Sequence, residues 1–154
     1  MGCDTRITKT KEAKKINLVL DTSVVVKWFV EEKDVENALA IRTKFVRREV
    51  ELYLPDLLFY ELANVLRYKP DFNNIDVHKS IRSLFNLGIS PLPFSEIVAI
   101  KAVTIAIDFE VTFYDAYFYA LAEELSIRLL TADEKAYSKL KSPPRVGLLR
   151  DFQG

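Results

Sequence analysis

Ile16-Asn17-Leu18-Val19-Leu20-Asp21-Thr22-Ser23 decides how the rest of the chain is read. Ile16 to Leu20 is an apolar run interrupted once, by Asn17, the pattern of a central parallel strand covered on both faces. It stops on a carboxylate, Asp21, followed by two hydroxyls, either of which can cap a helix. A second stretch, Arg128-Leu129-Leu130-Thr131-Ala132-Asp133, has the same form. The carboxyl ends of parallel strands are where α/β proteins place their chemistry. Carboxylates converging there repel one another and shift each other's pKa unless a cation neutralises them. Oxygen-only donors suit a hard divalent ion such as Mg²⁺ or Mn²⁺, so the chain reads as a metal-dependent enzyme acting on phosphates.

Working outward, strand and helix patterns alternate, which predicts βαβ units around a parallel sheet. A helix is expected over Val24 to Val30, and a second from Asp34 through Arg48 with Val35, Leu39, Ile41, Phe45 and Val46 as its stripe. Glu51 to Leu54 reads as a strand stopped by Pro55. Asp56 starts a helix with Leu58, Leu62, Val65 and Leu66 inward, ended by Lys69-Pro70. Another helix begins at Asn74 or Asp76 and stops at Gly88. Ile89 to Phe94 carries two prolines and is expected as an edge strand. Ser95 and Glu96 open a helix to Phe109 or Glu110, and Asp115 to Leu125 is a further helix. A strand over Ile127 to Thr131, a helix over Glu134 to Leu140 and a strand over Val146 to Leu149 complete the pattern.

The chain of 154 residues suits one domain, residues 16–154, preceded by a basic arm over residues 1–15. Hydrophobic residues make up 49%, ordinary for a globular protein. Zero formal net charge gives no general pull towards a polyanion or a membrane, so any such binding rests on local patches. One cysteine, Cys3, fits a reducing cytoplasm and allows no internal disulfide. A single histidine, His78, leaves no partner for a nitrogen-and-sulfur zinc site. The longest apolar stretch, Asn17 to Val30, is too short and too charged to span a membrane.

Four acids are candidates for the chemistry, and each has a plain structural alternative. Asp21 can serve as a helix cap, although Thr22 and Ser23 could cap equally well. Glu61 lies mid-helix among apolar neighbours, where an ordinary exposed helix residue is the alternative. Asp115 and Asp133 can each be N-caps. Singly they say little; three of the four fall at element junctions, and the set points to one site.

Leu20-Asp21-Thr22-Ser23, Tyr60-Glu61-Leu62-Ala63-Asn64-Val65-Leu66, Tyr114-Asp115-Ala116-Tyr117-Phe118-Tyr119-Ala120-Leu121-Ala122 and Leu130-Thr131-Ala132-Asp133 resemble, in order and spacing, the PIN-domain family. Within it they are most similar to the VapC-type toxins of toxin–antitoxin pairs. The resemblance covers about Ile16 to Phe152. It implies a three-layer α/β/α fold around a mostly parallel sheet, Mg²⁺- or Mn²⁺-dependent endoribonuclease activity, a cognate antitoxin partner and a homodimer. It carries the metal-binding acids onto Asp21, Glu61, Asp115 and Asp133, a supporting hydroxyl onto Thr131, and a similar part onto Ser23. The implied reaction is hydrolysis at phosphorus that leaves 5′-phosphate and 3′-hydroxyl ends.

Lys27, Arg67, Lys69 and Lys135 lie near the acids in sequence and are candidates for the phosphate backbone of RNA, with solvated surface positions as the alternative. Trp28, Phe29, Tyr114 and Tyr117 are candidates for stacking on bases, and Trp28 and Phe29 also for an antitoxin or dimer contact, against plain core packing. Two rival readings remain. A phosphotransfer domain is disfavoured because Asp21-Thr22-Ser23 lacks a second aspartate and no glycine-rich phosphate loop occurs. An RNA- or partner-binding module of the same fold, without turnover, is disfavoured by the complete set of acids.

Overall fold

The computed structural model describes residues 14–141 and 145–153. Four strands form one sheet in the order β2-β1-β3-β4, with every pairing parallel: β1 (Ile16–Leu20), β2 (Val50–Tyr53), β3 (Arg128–Thr131) and β4 (Val146–Leu148). The register sets Val19 beside Tyr53 on one side and beside Leu129 on the other. Leu18, Val19 and Leu20 are buried, as are Leu129 and Leu130, so both central strands are covered on both faces. The fold is the three-layer α/β/α arrangement that the resemblance implies, around the parallel sheet that the alternating pattern predicts.

The helices are α1 (Thr22–Val25), α2 (Val35–Val46), α3 (Asp56–Arg67), α4 (Asn74–Asn86), α5 (Glu96–Phe109), α6 (Phe113–Glu124) and α7 (Glu134–Leu140), with 3₁₀ turns at Val26–Trp28 and Leu149–Asp151. The stripe of α3 is buried at Leu58, Leu62 and Leu66, at helical spacing. α6 buries every residue from Ala116 to Leu121 and also Ala122, and it packs against β1, β3 and α5. A helix apolar all round belongs inside the molecule. α5 instead leaves Ile97, Ile100, Val103 and Ile107 exposed.

Three expectations change. Val24–Val30 is not one helix: the chain turns helical at Thr22, directly after Asp21, and tightens into 3₁₀ at Val26–Trp28. α6 starts at Phe113, capped by the Thr112 hydroxyl, so Asp115 is the third residue of the helix and not its cap. Ile89 to Phe94 is no strand of the sheet. Pro91 and Pro93 have no N–H to give a ladder, and the segment's β pairing is a single isolated bridge between Leu92 and Pro55. There Leu92 N–H donates to Leu54 O at 2.9 Å and Asp56 N–H to Leu92 O at 2.8 Å. The expected basic arm falls largely on residues 1–13, with Cys3 among them, outside the described residues; of the arm, Lys15 pairs at the surface with Glu51.

Candidate active site

From β1 the chain moves to β2 on one side, and the later strands β3 and β4 lie on the other. The sheet order therefore reverses between β1 and β3. Outside the carboxyl ends of two such strands a crevice opens, because their connections leave in opposite directions. Asp21 follows β1 and Ala132-Asp133 follows β3, so both arrive at that crevice. Glu61 comes from the middle of α3 and Asp115 from the first turn of α6. All four line one cleft of about 380 Å³, together with Thr22, Ser23, Val26, Lys27, Glu32, Val65, Phe118 and Ala132.

The acids are held in different ways. Asp21 is buried, 8% exposed, and accepts a hydrogen bond from the Ser23 hydroxyl. Ser23 Oγ also accepts from Ala132 N–H at 2.8 Å, fastening the loop after β3 to the start of α1. Thr131, itself buried, accepts Asp133 N–H on Oγ1 at 3.0 Å and lies 3.3 Å from Ser23 Oγ. Thr22 Oγ1 donates to Glu61 Oε1 at 2.8 Å, joining the loop after β1 to α3. Asp133 caps α7, its Oδ1 accepting from Lys135 N–H and Ala136 N–H at 3.0 Å each. Asp133 is thus the N-cap of α7 and also lines the cleft.

The electrostatics are those of crowded, partly dehydrated negative charge. Burial pushes the Asp21 carboxyl up to about 7, against the pull of the Ser23 and Thr131 hydroxyls, and the charges of Asp115 and Asp133 raise it further. Burial likewise raises Glu61, offset in part by the Thr22 hydrogen bond and helped by Asp115. Burial and then the charge of Asp133 raise Asp115. Among the described residues, no group of three or more carboxyl, histidine or cysteine side chains lies at a spacing that could hold a metal ion as the side chains stand. An open set of this kind matches Mg²⁺, which keeps several waters and takes one or two carboxylates with the rest of its shell from substrate and solvent. The donors present fit it: carboxylates and hydroxyls, with no sulfur or imidazole in the lining.

The basic and aromatic candidates separate. Lys27 lines the cleft and is buried; Lys69 reaches its edge by pairing with Glu32 at 2.6 Å. Arg67 lies over the ring of Tyr68, and Lys135 is exposed in the first turn of α7, both off the cleft. Trp28 is core, with Nε1 donating to Ala38 O at 2.9 Å, and Phe29 packs against the core. Tyr117 is buried, stacked on Phe94, its hydroxyl accepting Ser95 N–H. Only Tyr114 of the four aromatics is exposed. His78 is a surface residue. Two lining residues escaped the sequence reading. Thr22 was weighed only as a cap, and Glu32 sits in the segment between two helices, where no periodicity marks it.

Fold and cleft together define an α/β/α domain with an acidic crevice at the switch point of its sheet, and the comparisons narrow this class. A model of the PIN domain matches residues 18–141. Among solved structures, FitAcB from Neisseria gonorrhoeae aligns with a TM-score of 0.67 at 20% identity, over 88% of this chain and 99% of that one. A toxin–antitoxin complex from Klebsiella pneumoniae aligns at 0.63 and 15%, over 86% and 97%. VapBC2 from Rickettsia felis, bound to a DNA fragment from their promoter, gives 0.63 and 12%, over 86% and 97%. At these identities the likeness is one of fold. No curated protein matches the sequence. The chain belongs to the PIN-domain family, whose members are generally nucleases.

Proposed function

We propose that this chain is an endoribonuclease dependent on Mg²⁺ or Mn²⁺, and that it is the toxin of a toxin–antitoxin pair. The observation that carries the reading is the meeting of Asp21, Glu61, Asp115 and Asp133 in one cleft, with three of the four carboxyl groups raised in pKa. So much unneutralised acid has a use where a divalent cation binds. The toxin role draws support from the similar fold of the Klebsiella pneumoniae structure, whose own name is that of a toxin–antitoxin complex. In this reading residues 16–154 form the single domain, acting in the reducing cytoplasm. A second copy covers the exposed Ile97, Ile100 and Ile107 of α5 to make a homodimer.

Each residue then has a task. Asp21, Glu61, Asp115 and Asp133 would hold the cation between them, directly or through its waters; when bound, it would supply the charge that polarises a phosphate oxygen and acidifies a water. Thr22 fixes the Glu61 carboxylate by its hydrogen bond, which selects one rotamer for that side chain. Ser23 holds Asp21 and at the same time the loop that carries Asp133. Thr131 steadies that loop from below through Asp133 N–H. Burial raises the Asp21 carboxyl to about 7, so binding a cation there would require this group to give up a proton. Hydrolysis leaves a 5′-phosphate and a 3′-hydroxyl and does not call on the RNA 2′-hydroxyl as nucleophile.

The test incubates the protein with structured RNAs in Mg²⁺, in Mn²⁺ and in EDTA, beside Asp21→Asn and Asp115→Asn, and sequences the 5′ ends of the products. Cutting that needs the ion and disappears in both variants supports the proposal. Equal cutting by the variants points to a contaminating nuclease and removes it. RNA bound but left whole by the parent protein supports the binding module without turnover.

A further inference from the structure

We propose that Lys27 receives a backbone phosphate of the nucleic-acid strand in the acidic cleft, and that Glu32, itself held by Lys69, keeps its ammonium at the wall until the strand arrives. The proposal rests on the reading of this cleft as the place where a nucleic acid is cut.

Among the described residues lining the cleft there are five carboxylates, those of Asp21, Glu32, Glu61, Asp115 and Asp133, and a single cation, Lys27. Its side chain is 9% exposed and belongs to the 3₁₀ turn between Val26 and Trp28, both buried. A lysine so placed is costly unless its charge is paired and hydrogen-bonded. Its Nζ lies 3.3 Å from Glu32 Oε2, while Glu32 Oε1 takes Lys69 Nζ at 2.6 Å. One carboxylate is thus divided between two ammonium groups, which leaves a net positive charge at this wall. Burial pushes the Glu32 carboxyl up, but the hydrogen bonds from Lys69 and Lys27 outweigh it and hold its pKa below the ordinary value. An ammonium has three donors, and the bond to Glu32 is the hydrogen bond that Lys27 makes from Nζ.

A purely structural brace does not require Lys27. The Lys69–Glu32 pair alone ties the segment before α2 to the end of α3. A well-packed apolar side chain in place of a buried ion is often neutral or stabilising. A phosphodiester entering the cleft, by contrast, meets the remaining carboxylates and needs an opposing charge. Phosphate contacts fix the register of a strand without reading its sequence, so Lys27 would position any RNA and choose none.

The measurement is the anisotropy of a fluorescein-labelled single-stranded RNA oligonucleotide, titrated with the full-length Asp115→Asn protein in Mg²⁺ over a series of NaCl concentrations. Adding Lys27→Met is expected to weaken binding roughly tenfold, the size of one lost charged hydrogen bond. It should also flatten the slope of log K against log salt by ~0.7, the single-strand value for one phosphate. Lys27→Arg should restore the slope, and the melting temperature of Lys27→Met should stay level or rise. A brace gives the opposite: an unchanged slope and a lower melting temperature, which overturns the proposal, as does a parent that binds no RNA. Should Lys27→Met fail to fold, Glu32→Gln decides. Freed from its carboxylate, Lys27 should bind RNA more tightly; unchanged or weaker binding overturns the idea. Binding is read here without turnover. RNA held through Lys27 but never cut sinks the nuclease reading alone, and RNA cut by a protein whose salt slope ignores Lys27→Met sinks this one alone.

Discussion

Replacing Asp21 by asparagine should make the metal-free protein more stable, by an amount that grows with pH. In the unfolded chain the Asp21 carboxyl ionises near the ordinary 3.8, whereas the folded protein holds the proton to about 7. Below pH 4 both states carry the proton and Asp21 has no effect on the balance. Between these values the folded state binds more protons than the unfolded one, so stability falls as pH rises. Above pH 7 both are ionised and the loss is complete. At about 1.4 kcal/mol per pH unit, the rise from 3.8 to about 7 amounts to roughly 4 kcal/mol. An asparagine Oδ1 still accepts the Ser23 hydroxyl, as the aspartate does, and removes the charge that Asp115 and Asp133 oppose. Allowing for relaxation around the new amide, the gain at pH 8 should be about 2–4 kcal/mol. For a domain of this length that is a rise in melting temperature on the order of 5–15 °C. The assay is thermal and urea unfolding of both proteins from pH 4.5 to 8.5 in EDTA, then with Mn²⁺ added. The ion should stabilise the parent by about 2.7 kcal/mol at one hundred times its Kd and leave the variant nearly unmoved. Asparagine no more stabilising at pH 8 than at pH 4.5 would refute the account of Asp21 as a buried, repelled carboxylate.

Two further substitutions follow from the hydrogen bonds. Asp133→Asn keeps an oxygen for the N–H groups of Lys135 and Ala136 and loses the charge, so nuclease activity should vanish with little change in melting temperature; Asp133→Ala loses the cap as well and should cost about 1 kcal/mol more in urea unfolding. Thr22→Val removes the donor to Glu61 while keeping the shape, and should weaken Mn²⁺ binding and turnover roughly 10- to 100-fold, measured by metal titration of the rate.

The part of this protein written in its sequence is the part governed by near neighbours along the chain. The apolar run Leu18-Val19-Leu20 and the pair Leu129-Leu130 required strands covered on both faces, and they lie in the two central strands of the sheet. The stripe Leu58, Leu62, Leu66 required a helix with one buried side. The motifs containing Asp21, Glu61, Asp115 and Asp133 were visible as strings, and their order carried the family. Boundaries set by competition were less visible: the two prolines near Leu92 outweighed an extended pattern, and the Thr112 cap moved the start of α6 ahead of Asp115.

What the tertiary structure alone decided is distance between residues far apart in the chain. The order β2-β1-β3-β4 opens the crevice beside β1, and only then do two helix-borne acids, Glu61 and Asp115, share one cleft with two aspartates at strand ends. The bond from Thr22 to Glu61 spans 39 positions and that from Ala132 to Ser23 spans 109, so no local pattern announces either. Lys27 and Trp28 show the same limit: adjacent in the sequence, one turns to the cleft wall and the other to the core. Local propensity acts over a few residues, whereas a carboxylate's pKa depends on burial and on charges that only the assembled fold brings near.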